Sequence, residues 1–138
     1  TSDGKHRWSK VFSTEGPQRD AMVVSTLESL SLGDDHRLFL SGELGAPADF
    51  GAGEFACQGM YVVELTTEGE YHASRCYVDV SRLVAAPGDC AGLLLFGSGS
   101  ESIDFGSVEL PRTEPGRGSA SSSQLLGGAF LASVPALR

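Results

Sequence analysis

The chain contains no asparagine, so it offers no acceptor for N-linked glycosylation. Its cysteines number 3, at Cys57, Cys76 and Cys90, with no Cys-x-x-Cys among them. An odd and sparse set is not a disulfide framework, which favours a reducing compartment; one bridge stays open, Cys76 and Cys90 being the nearest pair in sequence. No apolar run approaches the ~18 residues a membrane helix needs, and no apolar N-terminal stretch reads as a signal peptide. Positive charge is scarce: 10 Lys and Arg face 18 Asp and Glu, a formal net charge of −8. Proteins that grip phosphates do so with basic patches, and the best cluster here is Lys5, His6, Arg7 and Lys10. Broad nucleic-acid binding is therefore disfavoured, and docking on a basic partner fits better.

What is present is 138 residues, 41% hydrophobic and 20% charged, the size and composition of one globular domain spanning 1–138. Short apolar runs punctuated by glycine set the rhythm of an all-β chain. Strands are predicted at 8–13, 21–32, 37–44, 54–65, 71–80, 92–96, 103–110 and 125–134. Eight strands suffice for a closed antiparallel barrel filled by its own side chains. Tyr61, Val63 and Leu65 share one face of a strand, and Cys76, Val78 and Val80 share another. The Gly69-Glu70 turn between them makes a hairpin. Residues 21–32 change face midway, which reads as a bulge; their Leu27/Leu30 spacing is also helical, but Val23-Val24 favours strand. Residues 81–86 can hold one helical turn before Pro87. Residues 112–124, rich in serine and glycine, read as a flexible inserted loop, after which 125–134 returns as the last strand.

No catalytic set emerges. His72 and Cys76, four residues apart on one strand, lie about 13 Å apart along it, too far to share a ligand or a proton. Asp34-Asp35-His36 has turn composition and lacks the regularly spaced oxygen ligands of a calcium loop. Phe96-Gly97-Ser98-Gly99-Ser100-Glu101 matches neither a phosphate loop nor a nucleophile elbow and reads as a hairpin loop. Trp8, Phe12, Phe39, Phe50, Phe55, Tyr61, Tyr71 and Tyr77 read as core more readily than as a stacking platform for single-stranded nucleic acid. No cofactor, metal site or small-molecule substrate is expected, which leaves surface and shape to carry the function.

In order along the chain come Trp8-Ser9-Lys10-Val11, a strand ending Leu32-Gly33-Asp34-Asp35-His36-Arg37-Leu38, and an acidic glycine-bearing loop. Then follow Glu54-Phe55, Met60-Tyr61-Val62-Val63, a Glu-Gly-Glu turn, Tyr77-Val78, and Ala91-Gly92-Leu93-Leu94-Leu95 before Gly97. This order resembles the eighth, small shared subunit of the eukaryotic nuclear RNA polymerases I, II and III, over residues 8–97. The departures are a tyrosine-poor central hairpin, Ala91 in place of a glycine, Phe96 in place of a methionine, and the added 112–124 segment.

The resemblance implies an antiparallel eight-stranded barrel of the oligonucleotide/oligosaccharide-binding type in a non-catalytic nuclear subunit. It would dock on the largest polymerase subunit and its neighbours, away from membranes and without direct nucleic-acid contact. Residues implied in docking are Tyr61, Tyr77, Gly92, Leu93, Leu94, Leu95 and Phe96. Two other readings stand beside it: a β-sandwich surface module of capsid-projection or adhesin type, and a single-strand nucleic-acid-binding barrel.

Overall fold

The computed structural model describes residues 6–12, 25–33, 36–88, 92–99, 103–105, 109–110, 128–135 and 137. The predicted loop 112–124, Asp34, Asp35, Cys90, Ser100 and Glu101, and the segments 21–24 and 125–127 lie outside these residues. Among the described residues there is strand and no helix. The strands are β1 (Thr26–Leu32), β2 (Arg37–Leu44), β3 (Ala48–Asp49), β4 (Glu54–Phe55), β5 (Gly59–Thr66) and β6 (Tyr71–Tyr77). They continue as β7 (Val80–Pro87), β8 (Gly92–Gly99), β9 (Ile103–Asp104), β10 (Glu109–Leu110) and β11 (Gly128–Pro135).

Every ladder is antiparallel. One sheet runs β1-β2-β5-β6 and a second runs β11-β8-β7, with two small pairs, β3-β4 and β10-β9. The all-β antiparallel expectation holds, but among the described residues no sheet closes on itself into the expected eight-stranded barrel. One strand limit also differs. The predicted strand 71–80 is interrupted at Val78-Asp79, where Asp79 takes φ 62° and sends the chain into the second sheet. Val78 is consequently exposed and Val80 opens β7, so neither shares a strand face with Cys76. Residues 81–86 are the middle of β7 and not a helical turn.

The two larger sheets meet over Phe39, Met60, Val62, Ala73 and Tyr77 on one side and Leu83, Ala85, Leu93, Leu95 and Val134 on the other, with Ile103 and Phe105 added. Where a barrel seam would lie, side chains replace the ladder. Ser41, fully buried, donates its hydroxyl to Leu83 O at 2.7 Å, and Ser31 donates to Ala85 O at 2.8 Å. Ser29 joins Ser41 hydroxyl to hydroxyl at 2.6 Å. The outward carbonyls of β7 are thus satisfied by serines that are small enough to let the strand approach.

The opposite face of the first sheet is also covered. Leu40, Leu44, Tyr61, Val63 and Leu65 pack under Ala48, Phe50 and Cys57, with Phe12 and Phe55 at the margin. Phe50 is the hub, its ring centroid 5.1 Å from Phe12 and 5.3 Å from Tyr61. This double burial makes β5 buried from Met60 through Leu65, whereas a one-faced strand alternates. A disulfide joins Cys57, in the covering segment, to Cys76 on β6, with Cα atoms 5.5 Å apart. The pairing inferred from sequence proximity, Cys76 with Cys90, is corrected. Cys76 stands opposite Tyr61 in the ladder and faces the layer that carries Cys57.

Residues 8–12 form no strand, contrary to expectation, but a strap over the β5–β6 turn. Trp8 Nε1 donates to Thr67 O and Lys10 Nζ to Gly69 O, each at 2.8 Å, while Arg7 pairs with Glu68 at 2.8 Å. Gly69, at φ 81°, lies under the Trp8 ring, where a Cβ would come within 3.2 Å of it.

Candidate interaction surface

The alternation of β8 splits the run implied as a docking surface. Leu93 and Leu95 are fully buried between the sheets, whereas Leu94 and Phe96 point outward, 39% and 56% exposed. Gly92 is half-buried at the start of the strand. Tyr61 and Tyr77 are core residues on opposite sides of the first sheet. Only Leu94 and Phe96 of that set present a side chain to a partner.

They have company that the sequence did not single out. Across the outer face of β7-β8-β11 the register places Val84, Phe96 and Leu131 side by side, with Leu94 one step along. Val84 is exposed, and Leu131 is 70% exposed. Arg82 is the one charged residue in the three strands. An apolar row on a nearly uncharged sheet face is the kind of exposure that marks an interaction surface. Val84 sits in the segment read as a helical turn, and Leu131 was expected on a strand but had no pattern separating inward from outward positions. Phe96-Gly97-Ser98-Gly99 belongs to β8 and not to a loop.

Glu64 is buried on β5, ion-paired with Arg37, and His72 Nε2 lies 3.8 Å from the same carboxylate oxygen. Its other oxygen, Oε2, has no hydrogen-bond partner among the described residues. Cys76 is in the disulfide, so it is not paired with His72. A recess of about 120 Å³ is lined by Pro47, Ala48, Asp49 and Glu54, but Asp49 Oδ1 already accepts the amides of Gly51 and Gly53 at 2.6 and 3.1 Å. Among the described residues no three His, Cys, Asp or Glu side chains converge.

Two buried phenols carry the clearest electrostatic signature. Burial, against a smaller opposing effect of Arg75, pushes Tyr77 up to about 12, and its hydroxyl has no partner among the described residues. Tyr61 is raised by burial first and by Glu28 second; its hydroxyl donates to Thr26 O at 3.2 Å. Both belong to packing: Phe39 and Phe50 are buried too, and Phe12, Phe55 and Tyr71 pack against the second core, whereas Trp8, read with them as core, is exposed. No known family, no curated protein and no solved structure significantly matches this chain.

Proposed function

We propose that this chain is a non-catalytic protein-binding module, a disulfide-stapled pair of β-sheets that works through the outer face of β7-β8-β11. The observation that carries the reading is the cross-strand row Val84–Phe96–Leu131 on a face with a single charge. Two stacked antiparallel sheets support the surface-module alternative over the barrel, and an internal disulfide supports an oxidising compartment over the nucleus. Affinity purification of the chain from its native cells tests this. Phe96→Arg and Leu131→Arg lose the partners that the wild type retains, while Leu30→Lys, exposed on β1, keeps them. Equal recovery by all three variants defeats the reading.

The polymerase-subunit reading is second. Its support is the β5–β6 hairpin, with Met60 opposite Tyr77 and Tyr61 opposite Cys76, together with a net charge of −8 suited to a basic partner. It requires the closed eight-stranded barrel, completed along the β1–β7 seam, and nuclear residence. Recovery of the largest polymerase subunit in the same purification decides for it. Single-strand nucleic-acid binding has only the exposed strap of Arg7, Trp8 and Lys10 to support it, and all three side chains are already bonded to the β5–β6 turn.

A further inference from the structure

The strap of residues 7–12 lies on the molecule by side chains alone. Among the described residues no backbone–backbone hydrogen bond joins it to the rest of the chain, and every residue from Arg7 to Val11 is exposed. Its contacts fall at alternate positions, Trp8 on Thr67 O, Lys10 on Gly69 O and Phe12 on the Phe50 ring, with Arg7 flanking them on Glu68. That spacing is an extended segment with one side down. Val11, between two contacts, is 92% exposed. The surface beneath keeps its shape by its own bonds. Thr66 donates its amide to Glu70 O at 2.8 Å and accepts Gly69 N–H at 2.9 Å, and its hydroxyl accepts the amides of Glu68 and Glu70, each at 3.2 Å. Those bonds leave Thr67 O, Gly69 O and the Glu68 carboxylate to the strap. Two glycines make room for it: a Cβ on Gly69 would stand 3.2 Å from the Trp8 ring, and one on Gly51 3.2 Å from Lys10 Nζ.

We propose that the β5–β6 turn and Phe50 form a recognition site for an extended basic and aromatic protein segment, and that residues 7–12 fill it as a ligand supplied by the chain itself. The seated strap states the chemistry of the occupant, Arg-Trp-x-Lys-x-Phe. An indole N–H and an ammonium meet two carbonyls two residues apart, a ring meets Phe50, and a guanidinium meets Glu68. Charge agrees, because a chain at −8 draws in a basic segment and turns away an acidic one. The strap is replaceable where a strand is not. Its ion pair is solvent-exposed on both sides, it joins no ladder, and a segment with so few buried contacts opens at low free energy. The turn, ordered by Thr66, stays ready when it leaves. A tethered segment competes at an effective concentration on the order of millimolar, so the strap closes the site to weak ligands and yields to a partner with the same pattern and tighter binding. The site belongs to the first sheet and its covering layer, so it stands independently of the outer face of β7-β8-β11.

The test uses the full-length oxidised chain and a dye-labelled synthetic peptide of residues 6–12, His-Arg-Trp-Ser-Lys-Val-Phe, with binding read by fluorescence anisotropy. Trp8→Ala combined with Lys10→Ala loosens the strap and leaves the turn untouched. This double variant is expected to bind the peptide at least about tenfold more tightly than the wild type, whose own strap competes. A scrambled peptide of the same composition binds the double variant at least about tenfold more weakly than the ordered one. Glu68→Arg, added to the double variant at an exposed position, weakens binding of the ordered peptide. Absence of binding to the double variant, or equal binding by the wild type, overturns the site. Equal binding of the scrambled peptide, or indifference to Glu68→Arg, reduces the effect to general charge attraction and overturns it as well. A double variant that has lost its β-sheet circular dichroism makes the strap part of the fold, and the proposal falls with it.

Discussion

Replacing both Cys57 and Cys76 by alanine removes the staple that holds the covering layer to the first sheet. The bridge closes a loop with a sequence separation of 19. For that length the loop-closure relation gives about 11 cal/mol/K of denatured-state entropy, or about 3 kcal/mol at 25 °C. Unfolding a chain of 138 residues carries an entropy of roughly 0.29 kcal/mol/K near the midpoint, so the melting temperature is expected to drop by about 11 °C. The denaturant slope should rise as well, because the uncrosslinked unfolded chain exposes more surface. Urea titration and calorimetry of oxidised wild type against the double variant read both quantities. A loss under ~1 kcal/mol would show that the covering layer is held by Phe50 and its neighbours alone. A non-reducing peptide map that links Cys90 to either residue would refute the pairing itself.

Two further expectations follow from buried polar atoms. A phenol raised above its unfolded value of 10 stabilises the fold below pH 10 and loses that contribution as the pH climbs towards about 12. For Tyr77 the stability lost on ionising the buried phenol amounts to about 3 kcal/mol, so Tyr77→Phe should flatten the alkaline stability loss between pH 10 and 12 and leave stability at pH 7 little changed, where the hydroxyl has no partner among the described residues. Urea titrations at several pH values check it, and an unchanged alkaline slope would count against the burial of that group. Ser41→Ala should cost about 1–3 kcal/mol by stripping Leu83 O of its donor, more than Ser31→Ala, whose site is only half-buried. Equal losses in thermal melts would mean that the seam is held by apolar packing.

How much of this was legible in the residues depended on locality. The limits of β2 match the predicted 37–44 because Gly33 and Gly45 punctuate both sides. The β5–β6 hairpin was readable from Gly69, whose positive φ sits where a glycine is needed. The β6–β7 turn was not, because Val78-Asp79 holds neither glycine nor proline and aspartate adopts the left-handed conformation unaided. Missing that turn carried the predicted strand past Tyr77 to Val80 and left 81–86, the middle of β7, to be read as a helical turn. Double burial hid the second layer, since β5 is apolar on both faces except at Glu64. The binding face was half visible: the Leu93–Phe96 run stood out, but which of its members face outward depends on β8 lying between β7 and β11. Cys57 pairing with Cys76 depends on the 48–57 segment folding back over the sheet, which no local pattern announces.

Ionic strength tells which contacts hold a partner on the outer face of β7-β8-β11. Docking of an acidic chain on a basic surface is driven by attraction that salt screens, so it weakens as the Debye length falls from about 10 Å at 0.1 M towards about 3 Å at 1 M. A contact centred on the Val84–Phe96–Leu131 row has no such attraction to lose, and apolar contacts do not weaken in moderate salt. Recovery of partners by the wild type should therefore persist between about 0.05 and about 0.5 M sodium chloride. Recovery that instead falls away as salt is added would place charge pairs in the contact and would rule out the apolar row as its centre.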